Sequence, residues 1–198
     1  MYPVSKNTTS SAGQLSSWTT LSSSLPPHPV KVLFVGVAPP EKGRHFYTHP
    51  NDNLRRGLFG VLNQLLQAPH SCTNISDFLR YGFFLLHTAK CAIRGTIKPS
   101  LPVSQFCSSL HLRREIELLL PDAVCFLSKN VGYPVAKELY RCYMKQSDVL
   151  AFGQVASIRI KAKEIFFLAT TWPGRPSLAP TTQCHLGQLF KKLNLKLL

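Results

Sequence analysis

Short unbroken apolar runs alternate along this chain with longer stretches whose apolar residues recur at helical spacing. Val32-Leu33-Phe34-Val35-Gly36-Val37 is the first run, and such continuity suits a strand buried on both faces of a parallel sheet. Pro39-Pro40 ends it. Over residues 53–66, Leu54, Leu58, Val61, Leu62 and Leu65 mark one face of a helix, with Asp52 and Asn53 as candidate caps. Residues 83–86 predict a second strand, 104–120 a helix stopped by Pro121, 123–127 a third strand and 134–144 another helix. Residues 155–160 read as an edge strand, 165–170 as a fourth core strand and 182–195 as a closing helix. This alternation predicts an α/β fold, a three-layer α/β/α sandwich around a central, mainly parallel four-stranded sheet. Residues 1–30, rich in Ser, Thr and Pro, read as a flexible arm with a short accessory helix within 14–25, and residues 31–198 as one domain.

Ligands of such sheets bind beyond the carboxyl ends of the strands, so function is sought in the loops at 36–53, 87–102 and 171–180. These loops hold Phe46, Tyr47, Trp172, several His and Arg, and few acids. That mix suits a pocket for a stacked base beside a phosphate-tracking surface, although aromatic and proline residues also serve simply to stiffen loops. Charge changes the picture. The chain has 23 Lys and Arg against 9 Asp and Glu, a formal net of +14, which favours a polyanionic partner. Lys42, Arg44, Arg55, Arg56, Lys90, Arg94, Lys98 and Arg175 fall near the same loops, a footprint that favours nucleic acid over a membrane surface or an acidic protein. Cysteines at 72, 91, 107, 125, 142 and 184 form no close pair, which reads as free thiols in a reducing compartment, the cytoplasm or wherever DNA is held. No apolar run approaches the length of a membrane span, and nothing in the pattern demands more than a monomer.

Those loops resemble the motifs of the uracil-DNA glycosylase superfamily. Gly36-Val37-Ala38-Pro39-Pro40 looks like its first motif, a glycine and a proline directly after the first strand. Gly43-Arg44-His45-Phe46 is similar to the segment that brings an aromatic ring against a flipped base, and Phe84-Leu85-Leu86-His87-Thr88-Ala89-Lys90-Cys91 to the second strand with its base-reading residue at His87. Leu168-Ala169-Thr170-Thr171-Trp172-Pro173 lies where the family has its second catalytic motif, typically a His followed by Pro and Ser. The resemblance runs through residues 31–190 in order, closest in spacing to the iron–sulfur branches. It implies Asp52, Glu41 and Arg175 as catalytic candidates. Val37, Ala38, Pro39, Phe46, Asn53, His87 and Trp172 would contact the base, and Lys42, Arg44, Lys90, Arg94 and Ser177 the DNA.

Departures from the family pattern sharpen the expectation. Val37 stands where active members often carry a residue that activates water, so the acid would come from Glu41 or Asp52. Neutral His87 has one donor and one acceptor nitrogen, a different edge from the amide usual at that position. Trp172 replaces the His that stabilises the departing base, and an indole donates only one neutral hydrogen bond, which leaves Arg175 as the electrostatic substitute. Cys91 and Cys107 match two ligands of the iron–sulfur branches, but residues 1–30 contain no cysteine to complete a cluster, and no cofactor is expected. The resemblance implies a monofunctional glycosylase that flips out a deaminated or damaged base, uracil, hypoxanthine or related, and hydrolyses its N-glycosidic bond. A catalytically degenerate DNA-binding member of the same fold, and a hydrolase of free nucleosides or nucleotides, are the alternatives.

Overall fold

The computed structural model describes residues 26, 29–39, 45–66, 71–90, 101–144 and 149–195. Five strands form one sheet: β1 (Val32–Gly36), β2 (Phe83–His87), β3 (Ala123–Leu127), β4 (Ala156–Ile160) and β5 (Lys163–Thr170), in the order β2-β1-β3-β5-β4. β1 is parallel to β2 and β3, β3 is parallel to β5, and β4 runs antiparallel along β5. The sheet therefore has five strands where four were expected, because the edge strand at 156–160 joins it by pairing Ala156 with Phe167 through Ile160 with Lys163.

Both faces of the sheet are covered, which explains the uninterrupted apolar runs. Phe34, Phe83, Cys125 and Leu168 point to the layer formed by α1 (Asn53–Leu65), α2 (Ile75–Arg80) and α6 (Ala179–Lys192). Leu33, Val35, Val124, Phe126 and Phe167 point to the opposite layer. That layer holds α3 (Leu101–Cys107), a π-helical stretch at Ser108–Leu112, α4 (Arg113–Leu119) and α5 (Gly132–Tyr143). Successive strand residues thus fill two separate cores.

The helices lie close to their expected spans. α6 begins at Ala179, three residues earlier than the periodicity indicated, because Pro180 sits in the first turn where no backbone N–H is needed. α2 was not expected at all. Its six residues are too few to show a period, and it is held by Asn74, whose side chain accepts from the Asp77 N–H at 3.0 Å. No helix among the described residues is long and apolar enough to cross a membrane.

The chain moves outward from β1 to β2 and then returns across it to β3. The switch point at the carboxyl ends of β1 and β3 is where such sheets open a crevice. Gly36 closes β1 at that point.

Candidate functional site

Gly36 pairs with His87 across the β1–β2 register, and a side chain at Gly36 would press on the imidazole. A Cβ there would lie 3.0 Å from His87 Cδ2 and 3.3 Å from Nε2, so the imidazole lies against the bare glycine backbone. Beyond it the two strands stay tied. The Val37 carbonyl accepts from the Thr88 hydroxyl at 2.6 Å and the Ala89 N–H at 3.0 Å, and the Gly36 carbonyl accepts from the Thr88 N–H at 2.9 Å. Val37 and Ala38 are half-buried and Pro39 is buried. Residues 36–39 offer no polar side chain of their own.

His45, Asp52 and His87 supply the polarity. Burial pushes the His87 imidazole down to about 3, and the basic groups of Lys90 and His45 nearby act in the same direction. His45 is also lowered by burial, with the Asp52 carboxylate acting against it, and Asp52 is itself raised by burial against the pull of its backbone hydrogen bonds and of His45 and His49. His45 thus lies within electrostatic reach of both other groups. His87 is neutral throughout the physiological range, one ring nitrogen donating and the other accepting.

A folded-state value below the ordinary 6.5 means that the unfolded chain takes up a proton the folded chain refuses. Stability is unaffected by this group above about pH 6.5 and falls progressively as the pH drops from there towards 3. Urea melts at pH 7 and pH 5 should show the loss, and His87→Asn should flatten it. An equally steep loss in the variant would mean that His87 is not held neutral.

Asp52 has a structural task as well. Its Oδ1 accepts from the Arg55 N–H at 2.8 Å, capping α1. Asn53, exposed on the first turn, accepts from Arg56 Nη2 at 2.7 Å. Phe46 is a core residue. Its ring is 3% exposed and has Phe78, Tyr47 and Phe59 at centroid distances of 5.1, 5.2 and 5.8 Å, which leaves no open face for a base. Its neighbour Tyr47 remains partly accessible. Lys90, expected on the DNA, is engaged at 2.5 Å with Glu115 on α4. Glu41, Lys42, Arg44 and Arg94 lie outside the described residues, as does Cys91, while Cys107 is half-buried at the end of α3.

The third loop leaves β5 pinned at both ends. At its base the Thr171 and Thr182 hydroxyls hydrogen-bond each other at 2.8 Å, and Thr182 also donates to the Leu178 carbonyl at 3.1 Å. Thr170 hydrogen-bonds His185 Nδ1 at 2.9 Å. At its tip the Pro173-Gly174 turn lies directly on α1, where Gly57 has no side chain to obstruct it. Trp172 is half-buried with its indole against Gly174, part of the packing around the core. Arg175 and Ser177 are exposed, and Arg175 pairs with no carboxylate among the described residues.

Three features escaped the sequence reading, two of them despite a signal. A glycine in the middle of a strong helical pattern, Gly57, marks a close approach. The pair Pro176-Ser177, directly after Arg175, is a proline-serine pair like the one that follows the His in the motif of the resemblance. Tyr47 had no signal, since its partner is backbone 38 residues away.

The family model of the uracil DNA glycosylase superfamily matches residues 23–193, which include every described strand and all three loops. A comparison with curated proteins finds no match. The superfamily points in general to DNA glycosylase chemistry with DNA as the substrate. With its α/β architecture and its motif-bearing loops at the carboxyl ends of the parallel strands, the chain belongs to the uracil DNA glycosylase superfamily.

Proposed function

We propose that the protein is a monofunctional DNA glycosylase that removes a deaminated or damaged base, uracil, hypoxanthine or a related lesion. The observation that carries this reading is the His87 imidazole lying on Gly36 at the carboxyl end of β2, where burial favours its neutral form with one donor and one acceptor nitrogen. The base is flipped out of the duplex and its edge is read by His87. Water then attacks C1′, the C1′–N bond breaks with its electron pair going to the base, and the water's proton passes to the acceptor that held it. Arg175 stabilises the departing base. Trp172 and the turn that follows support the loop, Ser177 contacts phosphate, and Phe46 backs the pocket from the core.

Asp52 is the water-holding candidate within the described residues. Capping occupies one of its oxygens, and a carboxylate has about four lone-pair sites, so acceptor capacity remains. Asp52→Asn separates the two tasks, because asparagine caps a helix about as well as aspartate. The expected result is a loss of about a hundredfold in single-turnover excision, in the range of lost general-base assistance, with little change in melting temperature. Asp52→Ala should add about 1 kcal/mol of destabilisation through the lost cap. Full activity in Asp52→Asn would restrict Asp52 to capping.

Incubation with duplex and single-stranded oligonucleotides carrying uracil, hypoxanthine, xanthine or alkylated bases, followed by alkaline scission, tests the reaction. Cleavage of none of them, with salt-dependent binding retained, would favour a second reading, a non-catalytic DNA-binding member. That reading draws on Val37, whose side chain is apolar and whose carbonyl is already taken by Thr88 and Ala89.

A further inference from the structure

β2 is an edge strand, and the outward backbone groups of an edge are open to pairing unless something covers them. At Leu85 the cover is a single hydroxyl. The Leu85 N–H donates to Tyr47 Oη at 2.7 Å, and the Tyr47 O–H donates to the Leu85 carbonyl at 2.9 Å. One side chain thus satisfies both groups of one residue, as a neighbouring strand would. The Tyr47 ring lies beside Phe84 and Phe46, at centroid distances of 5.9 and 5.2 Å, and touches both cores of the sandwich.

The two residues joined in this way belong to the two halves of the site. Tyr47 follows His45 by two residues and precedes Asp52 by five, on a tight turn in which the His45 carbonyl accepts from the N–H groups of Thr48 and His49. Leu85 precedes His87 by two residues on β2. We infer that Tyr47 is a positioning residue, whose hydroxyl sets the separation between the loop carrying His45 and Asp52 and the strand ending in His87. Its catalytic consequence rests on the glycosylase reading above; its structural consequence does not. The hydroxyl suits the task because burial disfavours its ionised form, so it remains both donor and acceptor.

Tyr47→Phe removes only the oxygen and keeps the ring packing. In hydrogen exchange the Leu85 amide should lose at least about tenfold of its protection as its partner disappears, and the His87 ring nitrogens should shift in 15N spectra. Single-turnover excision should fall by about tenfold to a hundredfold, the scale of an ångström-level misplacement, with the oligonucleotide KM unchanged. A thermal melt shows that the variant is folded. Unchanged Leu85 protection and unchanged His87 resonances would overturn the clamp. A disturbed clamp with undiminished excision would overturn the positioning role. Absence of activity in the unsubstituted protein would count against the glycosylase reading alone, because the exchange and resonance measurements still decide whether the clamp exists.

Discussion

Replacing Gly57 with alanine should destabilise the protein by about 1–3 kcal/mol, the usual cost of forcing extra volume into a packed contact. Taken alone, the substitution ought to help, since alanine is favoured over glycine inside a helix by about 1 kcal/mol. The environment reverses the sign. A Cβ at Gly57 would lie 2.2 Å from the Pro173 carbonyl oxygen, 2.5 Å from its carbon and 2.7 Å from Gly174 Cα. Those atoms are backbone, so relief requires the turn to move. The same turn leads into Arg175 and is anchored behind by the Thr171–Thr182 pair, so the displacement falls on the loop tip. Excision should drop by about a hundredfold as the loop shifts by an ångström or so. Gly60→Ala is the control: nothing lies within 4 Å of a Cβ there, and the same helix should gain about 0.5–1 kcal/mol. Thermal melts and single-turnover rates of the two variants measured together decide the matter, and equal tolerance at both positions would contradict the contact between α1 and the loop.

The contrast between these two glycines shows what the chain makes legible and what it hides. Strands β1, β2, β3 and β5 were readable because residues buried on both faces must all be apolar, and an unbroken apolar run is visible without knowing its neighbours. The parallel order that puts three loops at the carboxyl ends of the strands followed from the alternation of strands and helices. Side-chain roles did not follow, because they depend on which partner lies across space. Phe46 and Tyr47 are adjacent aromatic residues, yet the first is enclosed by three rings and the second closes a sheet edge with its hydroxyl. Lys90 was counted as a phosphate contact, whereas Glu115, 25 residues on, already neutralises it. Asp52 was read both as a candidate cap and as a candidate acid, and its cap on the Arg55 N–H is there. Pattern constrains burial well and constrains hydrogen-bond partners poorly.

Replacing Arg175 with alanine is expected to reduce excision by about a hundredfold to a thousandfold, the effect of removing one preorganised group that faces developing negative charge. Cleavage of an N-glycosidic bond leaves an electron pair on the base, and the group meeting it should be a cation or a strong donor held at the loop tip. Trp172 cannot serve, because its indole is neutral and is packed against Gly174. Arg175 brings a guanidinium group, is exposed at the tip, and pairs with no carboxylate among the described residues. The backbone beneath it is held by Thr171, Thr182 and the turn on α1. Arg175→Lys preserves charge without the planar fork and should recover part of the rate. The competing role is a phosphate contact, which has a different signature. Loss of such a contact weakens binding for all sequences and lowers the slope of log K against log salt by about 1, leaving the single-turnover rate at saturating protein unchanged. Measuring that rate and the salt slope for both variants separates the two. A changed slope with an unchanged rate would assign Arg175 to the DNA backbone and remove it from the chemistry.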